Sequence, residues 1–81
     1  MDLLHEMAAL GHGHRWSPEL RRRYGGKTPD DIRAELGKPH RREGPVERFV
    51  ESYDVGPGRL ELTYQGDPVT GQYRLVDCYL L

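Results

Sequence analysis

Apolar residues recur along this chain in two rhythms, helical in the first half and alternating in the second. Leu3, Met7 and Leu10 fall at i, i+4 and i+7 and predict a short helix over residues 2–10, with Asp2 as N-cap and Gly11 just past its end. The Gly-His-Gly-His segment 11–14 reads as a flexible connector. Ser17-Pro18-Glu19-Leu20 starts a second helix: Ser17 caps it, and Pro18 at the first helical position gives up an N–H that would be unpaired there anyway. Leu20 and Tyr24 share one face, and Gly25-Gly26 ends the element. Thr28-Pro29-Asp30-Asp31 repeats this start with two carboxylates at the positive end of the helix dipole. Ile32 and Leu36 face inward, and Gly37 followed by Pro39 closes the third helix.

After a polar loop at 40–45 the period becomes two. A strand is predicted over 46–55, a turn at Gly56-Pro57-Gly58, and a strand over 59–64 with Leu60, Leu62 and Tyr64 to one side and Arg59, Glu61 and Thr63 to the other. A hairpin loop at 65–71 leads into a third strand over 72–81. The first strand has two possible inward sets, Val46 with Val50 or Phe49 with Tyr53 and Val55. The third carries apolar groups on both faces, Val76, Cys78 and Leu80 against Tyr73, Tyr79 and Leu81. It therefore reads either as a central or bulged strand or as part of an exposed apolar patch. The expected fold is α+β: two or three short N-terminal helices packed on a three-stranded antiparallel β-meander. It forms one domain over 1–81, divided into an N-terminal helix and connector (1–14), a helix pair (15–39) and an antiparallel sheet (46–81).

The stretch Gly-Lys-Thr-Pro-Asp-Asp-Ile-Arg-Ala-Glu-Leu-Gly-Lys-Pro (26–39), set between a helix and the three strand-like runs, resembles the module of the small outer-membrane assembly lipoproteins, the SmpA/BamE family. It is also similar to the repeat unit of the β-lactamase inhibitory protein. The shared features are a turn with Gly and Thr, a short helix with an apolar residue near Ile32, and the Leu36-Gly37-Lys38-Pro39 exit; the resemblance covers about residues 20–81. The chain is expected to depart from the lipoproteins, which carry a signal peptide and a lipid-anchor cysteine near their start, since its only cysteine is Cys78. The resemblance implies a protein-binding scaffold.

Length and composition narrow the function classes. At 81 residues the chain buries only roughly 60–65% of its unfolded surface, which favours function on an outer face over a deep pocket. Charged residues make up 31%, yet seven aromatics and clear periodicity argue for a folded domain. One cysteine excludes an internal disulfide; with no basic leader and no long apolar run, the expected location is the cytoplasm.

Net charge is −1 but unevenly spread. Arg15, Arg21, Arg22, Arg23 and Lys27, opposed only by Glu19 and interleaved with Trp16 and Tyr24, form a candidate basic patch for nucleic acid or an acidic protein. Asp30, Asp31 and Glu35 in the next helix would repel phosphates, which counts against a helix-turn-helix reading. The segment 46–81 carries six acids against Arg48, Arg59 and Arg74, so the chain reads as bipolar.

No catalytic, cofactor or metal signature emerges. His5, His12, His14 and His40 lack supporting cysteine or carboxylate spacing and read as solvated loop residues. Cys78 lies between Val76 and Leu80 on one face of a predicted strand and reads as a small core residue, and the consecutive Asp30 and Asp31 diverge by about 100° on a helix. The expected function is a non-catalytic protein–protein interaction module of inhibitor, immunity or adaptor type, without cofactor. Its binding face would be Arg59, Glu61, Thr63, Tyr73 and Tyr79 on the side of the sheet away from the helices. The alternatives are a nucleic-acid-binding module using the basic helix 15–27, and a homodimer paired through the edge of the last strand.

Overall fold

In the computed structural model, which describes residues 2–81, three short helices cover one face of a five-stranded antiparallel sheet. The helices are α1 (Leu3–Leu10), α2 (Pro18–Tyr24) and α3 (Pro29–Leu36). The strands are β1 (His14–Arg15), β2 (Arg41–Glu43), β3 (Arg48–Val55), β4 (Gly58–Asp67) and β5 (Gln72–Leu80), in the order β1-β5-β4-β3-β2. The expected three-stranded meander is therefore corrected to five strands, and the sheet is not confined to residues 46–81. The two additional strands are the edges, drawn from the segments read as a flexible connector and a polar loop. Each is too short to display an alternating pattern, and each is made of His, Arg and Glu, the polar composition that suits a sheet edge.

The caps follow from local chemistry. Asp2 accepts from the His5 N–H at 2.9 Å and Ser17 from the Leu20 N–H at 3.2 Å. Thr28 and Asp31 form a reciprocal capping box, each side chain bonded to the other's backbone N–H at 3.2 Å. The turn between α2 and α3 is tied to the sheet: the Gly26 N–H donates to the Leu75 carbonyl at 2.9 Å, and the Leu75 N–H to the Lys27 carbonyl at 2.8 Å.

Register decides what is inside. Phe49 pairs with Tyr64, Glu51 with Leu62 and Tyr53 with Leu60; across the other side of β4, Leu60 pairs with Leu80 and Leu62 with Cys78. These residues meet Leu3, Met7, Leu20, Tyr24 and Ile32 in one core. Val46, by contrast, is exposed, so β3 uses its Phe49 and Tyr53 phase. In β5 the pairing slips at Thr63/Tyr64, which are opposite Asp77 and Leu75, so Val76 is an extra residue in a bulge. The slip puts Tyr73, Leu75, Cys78 and Leu80 on the helix side and Val76, Asp77 and Tyr79 on the open side, resolving the two-faced pattern.

One charge is enclosed. Glu51 is 1% exposed and lies in the helix-side face between Phe49 and Tyr53. Arg33 of α3 grips it with both arms, Nε on Oε1 at 3.1 Å and Nη2 on Oε2. Burying a carboxylate without such a partner is costly. Nearby, the Tyr64 hydroxyl is fully buried and has no hydrogen-bond partner among the described residues.

Two stability predictions follow from this arrangement. Arg33→Met strands Glu51 and lowers stability by about 2–3 kcal/mol in urea unfolding, somewhat below the cost for a fully enclosed pair because the Arg33 side chain is 34% exposed; adding Glu51→Leu recovers most of the loss. An equally unstable double variant would show that the pair is not what the single change breaks. Tyr64→Phe removes an unpaired buried hydroxyl and raises stability by about 1 kcal/mol; a loss of stability instead would reveal a partner for that hydroxyl.

Candidate functional site

The side of the sheet away from the helices is built by the residues that alternate with the core positions. A cross-strand row runs Arg15, Tyr79, Glu61, Ser52, Arg41 through the pairs His14–Arg15 with β5, Glu61 with Tyr79, Ser52 with Glu61 and Arg41 with Ser52. A parallel row runs Asp77, Thr63, Val50, Glu43. Tyr79 is half-buried, with the Arg15 guanidinium 5.6 Å from its ring centroid, and Arg15 Nε also reaches Asp77 at 3.4 Å. Arg59 lies 3.8 Å from Glu61 on the same strand. Charge of both signs is thus interleaved around one aromatic ring.

Four of the five expected face residues, Arg59, Glu61, Thr63 and Tyr79, are on this side. The fifth is a correction: Tyr73 precedes the bulge, so it faces the helices, where its ring meets Phe49 edge-on at 5.2 Å. The bipolar picture is corrected as well. Glu51 is withdrawn from the surface by Arg33, and the edge strands add Arg15, Arg41 and Arg42 to the sheet.

The basic patch does not hold together. Arg15, Arg21 and Arg22 line a cleft of about 620 Å³ with Trp16 and Asp77 beside α2. Arg23 turns the other way, to Glu6 of α1 at 2.5 Å and over the Tyr24 ring at 5.4 Å. Tyr24 is 5% exposed, so its ring cannot serve as a base-stacking platform, and the Lys27 backbone is paired to Leu75. From Leu75 to Leu80 the outer edge of the last strand is already occupied. It is covered by β1 at Tyr79 and Leu80, by the Trp16 N–H on the Cys78 carbonyl at 2.9 Å, and by the Gly26–Lys27 turn at Leu75.

The histidines are dispersed. His5 bonds Asp2 at 2.7 Å, His12 Nδ1 is 2.6 Å from the Leu81 carbonyl, His14 sits in β1, and His40 Nδ1 accepts the Asp54 N–H at 3.0 Å. No group of three or more His, Cys, Asp or Glu side chains with metal-holding geometry occurs among the described residues. Among the described residues no helix is long and apolar enough to cross a membrane.

A cluster that the sequence reading missed lies on the helix side. Arg33 and Arg42, from separate elements, line one cleft of about 530 Å³ together with Phe49, Tyr73 and the first turn of α3, Asp30 included. Only register could have joined them: Arg42 is opposite Glu51 in β3, whereas Arg74, next to the inward-facing Tyr73, pairs with Gln65 and lies on the open side with Arg48. Comparisons with protein-family models, with curated proteins and with solved structures return no match.

Burial, more than nearby charge, sets the titration of the core groups. It pushes the Cys78 thiol up to about 12, with Asp77 adding a smaller push, so Cys78 is not a thiolate near neutral pH. Desolvation likewise pushes Tyr24 up to about 12, helped by Glu35 and Glu6, which accept from its hydroxyl. In the unfolded chain these groups lose their protons near their ordinary values of 9.0 and 10.0, while the folded chain keeps them. Their stabilisation is therefore complete below pH 9 and is lost as pH rises through the window from 9 to about 12. Thermal melts taken at increasing pH should show the melting temperature falling through that window, and a flat profile would contradict the burial of these two groups.

Proposed function

We propose that this protein is a non-catalytic binding module whose open sheet face docks on a partner protein, as an inhibitor, immunity or adaptor protein does. The observation that carries this reading is the row Arg15–Tyr79–Glu61–Ser52–Arg41: an aromatic ring flanked by both signs of charge on a face that no helix covers. Tyr and Arg are the side chains most enriched at interface hot spots, and short, polar edge strands keep such a face from aggregating edge to edge. Acidic residues recur through both rows, which favours a partner surface of mixed charge over a polyanion, since phosphates would meet Glu61, Asp77 and Glu43. The scaffold role implied by the resemblance to the assembly lipoproteins points the same way. We place this activity in the cytoplasm, where a single buried thiol needs no oxidising environment.

The test is affinity capture from a lysate of the source organism by wild type and by Tyr79→Ala/Arg59→Ala, with and without nuclease. Tyr79→Ala is expected to weaken binding of a stoichiometric protein partner by about 2 kcal/mol, with nuclease making no difference. Capture that disappears with nuclease would move the reading to the Arg15, Arg21 and Arg22 cleft. A partner retained within about 1 kcal/mol by the double variant would exclude this face.

A further inference from the structure

We propose that the cleft where α2 runs along the edge of β5 anchors an acidic segment of the partner protein. The segment reaches over that edge of the open face, a carboxylate held by Arg15 and Arg21 and an adjoining apolar side chain laid against Trp16. This rests on the sheet-face reading and names the kind of segment that end of the face takes.

The path of the chain sets the geometry. The Trp16 N–H donates to the Cys78 carbonyl, after which the chain leaves β5, and it returns at Leu75 through Gly26 and Lys27. α2 spans that interval, so one of its flanks lies along β5 at the Val76 bulge. Leu20 and Tyr24 are buried and fix the inward face of α2, and Arg23 turns to Glu6 of α1. At about 100° per residue, Arg21 stands on the opposite flank, toward the bulge, with Arg22 beside it on the outward side. Arg15 comes from the sheet: its Nε reaches Asp77 at 3.4 Å, and both of these residues line the cleft.

The charges in the cleft are unequal. Arg21 and Arg22 are exposed and make no ion pair among the described residues. Asp77 is the one acid in the lining, and its oxygens are committed, Oδ1 to the Cys78 N–H at 2.9 Å and Oδ2 to Arg15. Three guanidiniums against one engaged carboxylate leave an excess of positive charge, and a guanidinium fork matches a planar carboxylate.

The walls and the surroundings specify the rest. Trp16 is half-buried and, with Pro18 and Val76, gives this recess of about 620 Å³ an apolar wall, which an acid next to an aromatic or large aliphatic residue fits. Arg15 belongs both to the cleft and to the row through Tyr79 and Glu61, so a partner seated on the face reaches the cleft without a break. A nucleic-acid strand on the same route would bring a phosphate past Asp77 and Glu61 at each step, whereas a protein segment places its carboxylates at the arginines alone.

The experiment is an NMR titration of the full chain with the peptide acetyl-Glu-Phe-Glu-amide, its Gln-Phe-Gln counterpart and a single-stranded thymidine oligonucleotide, at constant ionic strength. The arginine Nε–H signals and the indole N–H of Trp16, the only tryptophan, are followed. Saturable shifts at Arg15, Arg21 and Trp16 are expected, with the acidic peptide bound about tenfold or more tightly than the amide peptide. Arg21→Gln should weaken the acidic peptide by a similar factor, while Lys38→Gln, which removes the same charge beyond α3, should leave it unchanged. Shifts that do not saturate, equal affinity for the two peptides, equal losses in the two variants, or tighter binding of the oligonucleotide would overturn the proposal. Arg21 has no place on the open face, so the two readings fail separately: a partner captured as well by Arg21→Gln as by wild type overturns the anchor and leaves the face reading standing.

Discussion

The constraint on which this fold turns is the burial of Glu51. A strand that presents Phe49 and Tyr53 to a core must present the residue between them in the same direction, and here that residue carries a charge. Only a partner that travels into the core with it makes this tolerable. Arg33 supplies that partner from α3, and its two-armed grip fixes where the helix can lie on the sheet. Much else is consistent with that one placement. Tyr53 donates to the Gly37 carbonyl at 2.7 Å just past the helix end, and the Gly26–Lys27 turn before the helix pairs with Leu75. An apolar residue at 51 would pack here, but it would not choose among the ways a short helix can slide over a sheet.

The same residue explains why part of the fold was hard to read in advance. The helix starts at Ser17 and Thr28 and the alternation of Leu60, Leu62 and Tyr64 were legible because each depends on a few neighbouring residues. The phase of β3 was not, because its inward set contains Glu51, and a pattern search discounts a strand face with a carboxylate in its middle. Asking which cation could accompany that carboxylate would have pointed to Arg33. The phase of β5 was obscured by the bulge at Val76, which moved Tyr73 to the helix side and kept Tyr79 on the open one. Both edge strands escaped notice because two or three polar residues carry no period; what makes them strands is a partner far away in sequence.

The candidate sites divide along the same line. Arg59, Glu61 and Thr63 share a face by simple alternation along one strand, so that face was visible from sequence. The cleft on the other side depends on β2 pairing with β3 and on β5 keeping its register up to the bulge. No local pattern brings Arg42 over Phe49, and the signal for it exists only at the level of the sheet. Charge followed this distinction. A count along the chain made the sheet half acidic, whereas folding neutralises Glu51 and contributes arginines from both edges.

A chain this short has little apolar surface to bury, and its core already encloses one ion pair and an unpaired tyrosine hydroxyl. A deep pocket would remove packing that the helices need to stay on the sheet. The two sides of the sheet leave surfaces with different physical requirements. The open face is broad and mixed in charge, and it suits a partner that brings its own relief and its own counter-charges. The cleft beside α3 is smaller and holds Arg33, Arg42 and Asp30, with the Arg42 guanidinium set over the Phe49 ring. Both depend on α3 remaining where Glu51 holds it: that helix forms one wall of the cleft, and with α1 and α2 it closes the opposite side of the sheet. A residue with no part in binding anything thereby determines that one side of the sheet is covered by helices and the other is left open.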